Sequence, residues 1–305
     1  MHAAVVANEP VPARTTTQVE ANERLLDIDA AEFRACFDRR PFLIGHHLVD
    51  HPLFALPRLM ELSRTLPAEN VEYNAGNIPI SLAPELTPRN GLSPEETIRR
   101  IAECKSWLVL KYVEHDEHYL ALLHRCLDEV RVHSEPSHPG MCKAEAFIFI
   151  TSPGSVTPYH MDPEHNFLLQ IRGSKIVNLF DPRDRTILSD EELERFYDGA
   201  HRNMVFKEEY QAKAWQYELK PGFGLHFPVT APHYVRNGPE VSVSFSITFR
   251  TPDLDRRSMV HNFNSWLRRR GLTPAPVGAH PWREGMKFFV CRALRRVRRL
   301  FGKGK

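Results

Sequence analysis

Cysteine is scarce. None of the five thiols (Cys36, Cys104, Cys126, Cys142, Cys291) falls in a CxxC pair. That excludes a disulfide scaffold and points to a reducing, cytoplasmic setting with all five thiols buried. Long apolar runs are also missing, so no membrane span is expected. The opening MHAAVVANEP has no basic start followed by an apolar core, so no signal peptide is expected. Charge of one sign is lacking as well. Forty Lys and Arg against 38 Asp and Glu leave +2 over 305 residues, which excludes a polyanion binder of the kind whose whole surface is basic. There is no internal repeat and no low-complexity tract. What remains is 42% hydrophobic and 26% charged, an ordinary globular mixture.

The texture changes along the chain. Residues 1–22 are polar, with a Thr15-Thr16-Thr17 run, and are expected to form a mobile tail. Residues 23–142 alternate helical and strand-like segments and are expected to pack on a core that follows. A helix is expected from Asp29, a strand at PFLIGHH, and an amphipathic helix in LFALPRLMELSRTL. Ser93 with Glu96 three residues later is a capping-box pattern. WLVLKYVE reads as a strand and DEHYLALLHRCLDEV as a helix. From 143 to 252 short segments rich in β-branched and aromatic residues are punctuated by Gly and Pro, and EVSVSFSITF alternates as a half-buried strand does. A polar stretch near 183–212 reads as a helical insertion or long loop. Residues 253–305 return to helix and end basic.

Within the β-rich part, TPYHMDPEHNFLLQIRGSK places His160 and Asp162 two residues apart. On a strand such residues share a face. A second histidine from another strand would complete a two-His, one-carboxylate set, which suits Fe(II) and leaves open positions for substrates. The spacing alone has low specificity, since His-x-Asp surface pairs are common. Two histidines compete for the third place, His226 in GLHFP and His233 after Pro232. His233 is favoured because it opens a strand behind a Pro-bounded loop. Lys175 follows the RGS turn and precedes an apolar run. On an inward face it needs an anion, because an unpaired buried charge is costly. A metal-chelating dicarboxylate co-substrate would supply one, with Thr157 and Asn166 able to bond its carboxylates.

These residues carry a resemblance. The pattern T-P-x-H-x-D, then N-F, then Q-I-x-G-x-K, with the later PG…P…H turn and strand, resembles the JmjC/cupin-like 2-oxoglutarate and Fe(II)-dependent oxygenases. Over about residues 145–250 it is similar to the asparaginyl hydroxylase of hypoxia-inducible factor. Outside that range, at GHHLVDHPLFALPRL and VEYNAGNIPISL, it is similar to bacterial cupin-like domain proteins. The resemblance implies a double-stranded β-helix, the cupin jelly roll, mainly β with flanking helices. It implies iron ligands at His160, Asp162 and His233. Lys175 and Thr157 would hold the distal carboxylate of 2-oxoglutarate, and Asn166 its metal-bound end. The family's co-substrate tyrosine has no clear counterpart, with Trp107 in roughly that strand. An Asn of the final strand is replaced by Ser244 or Ser246. The implied activity is hydroxylation of a protein side chain or small molecule, with O2 and 2-oxoglutarate as co-substrates. The reading from a different class is a cupin-like binding or regulatory protein, nucleic-acid associated, without turnover.

Two features stand apart. His46, His47, Asp50 and His51 gather metal-ligand types in one short turn, where helix capping is the plainer reading. From Arg283 onward, nine Lys or Arg face a single acid, along an apolar stripe of Phe288, Phe289, Val290, Leu294, Val297, Leu300 and Phe301. A helix packed on the barrel would have this composition; so would one that makes weak contact with polyanions or a membrane surface. SMVHNFNSWLRRR is expected to pack or to form a homodimer contact through the C-terminal helices.

Overall fold

The computed structural model describes residues 24–301, the side chains of 84, 295 and 297–301 apart. The tail expected over residues 1–22 lies outside the described residues.

Strands β1 (Leu26–Asp27), β2 (Phe42–His46), β3 (Val71–Ala75), β4 (Ser106–Lys111) and β5 (Cys142–Thr151) precede β6 (Val156–His160), β7 (His165–Arg172) and β8 (Lys175–Leu179). They are followed by β9 (Trp215–Leu219), β10 (Phe223–Phe227), β11 (His233–Asn237) and β12 (Ser242–Arg250). They form an eight-stranded sheet in the order β1-β2-β10-β7-β12-β5-β4-β3 and a four-stranded sheet in the order β6-β11-β8-β9. Every pairing is antiparallel. The two sheets face each other as a double-stranded β-helix.

The strand pairing runs across the expected division at 142/143. Residues 23–142 do not merely pack on the core. They contribute β1 to β4, half of the larger sheet, and β4 pairs with β5 across the expected boundary. Pairing partners this distant in sequence leave no local signal.

Alternation divides each strand of the large sheet between two environments. Ile148, Ile150, Phe167, Leu169, Phe245 and Ile247 face outward. They pack under α1 (Ala30–Cys36), α2 (Leu56–Thr65) and α4 (Glu117–Ser134) through Phe33, Leu59, Leu62, Leu123 and Leu127. Each such fully buried side chain contributes about 2 kcal/mol. Leu168, Leu225 and Phe227 face the other way, into the barrel, and meet Val177, Leu179 and Val235 of the small sheet. The elements form for ordinary reasons. Asp29 caps α1 by accepting from Ala31 N and Glu32 N. Gly173, at φ 67°, turns the chain between β7 and β8, where a Cβ would stand 2.5 Å from Val241 O.

The Ser93 capping pattern, at the start of α3 (Pro94–Arg99), is half formed: Ser93 accepts from Glu96 N, while Glu96 turns to Arg99. The complete capping box lies instead at α5 (Asp190–Tyr197), between Ser189 and Glu192. The expectation of five buried thiols also fails in part. Cys36 and Cys126 are buried, but Cys104, Cys142 and Cys291 are partly exposed, and none of the five is in a disulfide.

Candidate metal and co-substrate site

The last residue of β6, His160, pairs with the first of β11, His233. Asp162 lies two residues beyond the end of β6. The shared-face argument therefore does not place it; a backbone bond does, from Thr230 N to Asp162 O at 2.9 Å. Asp162 Oδ2 stands 3.6 Å from His160 Nε2 and 3.7 Å from His233 Nε2. Among the described residues this is the one His/Cys/Asp/Glu cluster whose ligand atoms all converge, within 4.8 Å of one another.

Each imidazole is held by its other nitrogen. His160 Nδ1 donates to Pro158 O at 2.7 Å, and His233 Nδ1 to Ala231 O at 2.9 Å. Both Nε2 lone pairs are thereby directed at the cluster, the arrangement a metal needs of its histidines. Burial, above all, lowers the His233 value to about 3, which favours the neutral form that ligates. Burial would raise Asp162, but His160, then Arg202, outweigh it and hold the carboxyl below its usual range. Arg202 donates to Oδ1 at 3.0 Å, leaving Oδ2 to the histidines.

The turn that carries His233 is itself braced. Val229 N donates to Asp38 Oδ1 at 3.1 Å. Thr230 sits at φ 59°, a left-handed conformation that a β-branched residue rarely adopts. That strain, about 1–3 kcal/mol, is held next to two of the three candidate ligands.

His226 is elsewhere. It faces the outer core, its ring 4.8 Å from both Phe37 and Phe167. Its Nε2 accepts from Asp38 N and its Nδ1 donates to Asn166 O. Mainly through burial its value falls to about 3.

Lys175 lies at the opposite end of the barrel. Leu179 pairs with His233 and Lys175 with Asn237, four residues away along the strand, a distance of about 13 Å. Its side chain shares the inward face of Val177 and Leu179 and is 4% exposed. Burial alone lowers it to about 7, with no charged neighbour contributing. Two orphans share this end. Trp107 Nε1 and Asn237 Oδ1 are buried without a hydrogen-bond partner. Trp107 is reached through the register Ser242, Thr151, Trp107 across the large sheet, on the face opposite Leu108 and Leu110. A buried cation and a buried donor without partners are what a bound carboxylate would satisfy.

Thr157 pairs with Val235 and so faces inward with it. It is three residues from His160, odd spacing that a regular strand would split between faces. A bulge in β6, at Pro158-Tyr159, restores the shared face. Asn166 is at the metal end, where its Oδ1 accepts from Ser246. Ser244 instead donates to Gln170 Oε1 at 2.7 Å. The Ser244 hydroxyl is thus committed to Gln170, and Ser246 is the serine that meets Asn166.

Three residues escaped sequence reasoning. Arg202 comes from a loop with no periodicity and gave no signal. Glu164, raised to about 8 by burial and then by Asp162, stands two residues after a chosen ligand, and that spacing was available. Gln170, saturated by Ser242, Ser244 and two carbonyls, was visible as a polar residue inside an apolar run.

Among the described residues no metal site forms around His46. His46 Nε2 donates to Gln170 O, His51 caps the turn at Leu53 N, and His47 pairs with Asp27 at 2.9 Å.

The cupin-like domain family matches residues 102–263. JmjC domain-containing protein 5 of Drosophila melanogaster is 37% identical over 99 residues, 30% of this chain and 25% of that protein. Lysine-specific demethylase 8 of Danio rerio is 30% identical over 102 residues, 32% of this chain and 24% of that protein. The chain thus matches about a quarter of the length of these relatives. Among solved structures, YcfD, a ribosomal oxygenase from Escherichia coli in complex with cobalt and 2-oxoglutarate, aligns over 89% of this chain and 67% of its own. Its TM-score is 0.52 at 18% identity, a likeness of fold.

Proposed function

From the premise that this chain belongs to the cupin-like domain family, we propose that it is a non-haem Fe(II)- and 2-oxoglutarate-dependent oxygenase that hydroxylates a protein side chain or a small molecule. One observation carries the reading. Three metal-ligand atoms converge at one end of the barrel, and an unpaired buried lysine waits at the other. The free cysteines are compatible with a reducing compartment such as the cytoplasm.

His160, Asp162 and His233 would hold the iron, their lone pairs aimed by Pro158 O, Ala231 O and Arg202. Lys175 would take the distal carboxylate of 2-oxoglutarate, with Trp107 Nε1 as a further donor from the same end. Thr157 lies between these two levels of the barrel. When bound, the metal and co-substrate would supply the oxidising chemistry: O2 and 2-oxoglutarate become succinate and carbon dioxide as one oxygen atom enters a substrate C–H bond. The residues orient the reactants and exclude water, and none need act as a strong acid or base. Leu168, Leu225, Phe227, Val177 and Val235 line the wall between the two ends, which keeps the co-substrate's surroundings dry.

The test is turnover. Protein supplied with Fe(II), 2-oxoglutarate and cell extract should release succinate and add one oxygen to a product, and the Asp162→Ala protein should do neither. A wild-type protein that binds both ligands tightly yet oxidises nothing in extract would favour the binding-protein reading.

A further inference from the structure

Helix α7 (Pro281–Phe301) buries one face and exposes an apolar one. Lys287 Nζ bonds Asn264 Oδ1, and Cys291 Sγ donates to Met259 O, so these positions face α6 (Pro252–Arg268). Glu284, Lys287, Phe288 and Cys291 are partly buried in the same way. At helical spacing the opposite face is Trp282, Met286, Phe289 and Ala293. Trp282 is 65% exposed, Met286 60% and Phe289 70%. Val290 and Leu294, also exposed, extend this strip to one side. A helix docked only to cover the barrel would turn these side chains inward.

Charge flanks the strip. Arg283 lies over the Trp282 ring at 5.3 Å, on one border. Arg292 and Arg296 lie on the other, both exposed. Glu284 is the one acid from Arg283 onward, and it is occupied with the backbone of Gly278 and His280.

We propose that α7 is a docking face for an anionic lipid bilayer. The apolar strip enters the interface, and the bordering arginines bond lipid phosphates. This occupant answers both features. A second copy of the chain would cover the strip but bring arginine borders together with no free acid between them. A nucleic acid would neutralise the arginines but leave Met286 and Phe289 in water. The whole-chain charge of +2 conceals this local field. No described helix is long and apolar enough to cross a membrane, so the contact is peripheral. The proposal is independent of the oxygenase reading.

The experiment is co-sedimentation of the full chain with vesicles of phosphatidylcholine alone or mixed with phosphatidylglycerol. Binding is expected only to the anionic vesicles and should weaken steeply with salt. Arg292→Gln and Arg296→Gln should each lower affinity about fivefold. Phe289→Glu should lower it tenfold or more, with circular dichroism and Mn(II) binding unchanged. Three results would overturn the proposal. One is equal binding to neutral vesicles. Another is a dimer in sedimentation equilibrium that Phe289→Glu dissolves, with no vesicle binding. The third is binding to a duplex oligonucleotide that Phe289→Glu leaves intact, without vesicle binding.

Discussion

At one end of the barrel Asp162 sits among groups that answer its charge, Arg202 on Oδ1 and two imidazole nitrogens facing Oδ2. At the other end Lys175 is buried among groups that carry none. The two ends belong to the same strands, β8 and β11, so the difference is not one of scaffold. The ligand cluster is prebuilt: tautomers, turn and carboxylate are fixed by bonds within the chain. At the lysine end burial is not offset by any charged group among the described residues, so an anion that neutralised Lys175 would have to come from outside the chain. One end can therefore be damaged by removing a group, whereas the other should gain stability when its charge is removed.

The largest effect expected is at the built end. Asp162→Ala should abolish Fe(II) or Mn(II) binding, measured by calorimetry, because the two histidines alone hold divalent ions weakly. Retention of full affinity would mean that the Asp162 carboxylate is no ligand.

Next comes the incomplete end. Lys175→Met should weaken 2-oxoglutarate binding by about tenfold or more, the loss of a charge-assisted contact, with metal binding kept. Its pH dependence has a definite sign. The Lys175 value falls from 10.5 in the unfolded chain to about 7 in the folded one. As pH drops from 10.5 to 7, the unfolded chain takes up a proton that the folded protein lacks, so unliganded stability falls across that window. Below about 7 the penalty is complete. Lys175→Met removes it, so thermal melts of the unliganded variant should lie above wild type at pH 7 and converge with it toward pH 10. Affinity for 2-oxoglutarate should decline in wild type as pH rises above 7, because binding must then recruit a proton, and should stay flat in the variant.

A smaller change is expected for Arg202→Ala. The arginine is 43% exposed, so its bond to Asp162 is partly screened by water. Metal affinity should fall by about tenfold, read as Mn(II) binding, and Arg202→Lys should restore part of it. The least effect on metal is expected from His226→Ala, which should bind as wild type does. It should lose about 1–3 kcal/mol in denaturant unfolding, since Asp38 N and Asn166 O lose a buried partner. Loss of metal binding in that protein would mean the outer face contributes to the site.

How much of this could be read from the residues depended on local regularity. Strands β5, β7 and β12 and helices α2, α4 and α7 announce themselves by period. His160, His233 and Lys175 were legible because polar groups interrupt apolar strands. The inward position of Thr157 was not derivable from spacing, because the bulge at Pro158 changes the face; Pro158 on an edge strand was the single hint. Asp162 does lie beside His160 and His233, but its position beyond β6 means that the shared face of a strand is not what brings it there. Arg202 and the joining of β1 to β4 into the main sheet depend on contacts between segments far apart in the chain. No window of sequence contains them. Ser244 and Ser246 share one face of β12; the register sets Ser244 opposite Gln170 and Thr248 opposite Asn166, and only the diagonal bond from Ser246 Oγ to Asn166 Oδ1 shows which serine meets Asn166.

If the barrel works as proposed, it holds a metal and a dicarboxylate together, one toward each end. An anaerobic titration of the protein with Fe(II) and 2-oxoglutarate, followed by the visible absorbance of their chelate, tests it directly. The band should saturate at one equivalent of each, be kept in His226→Ala, and be lost in both Asp162→Ala and His233→Ala. A band of equal intensity in Asp162→Ala, or none in the wild-type protein, would contradict it.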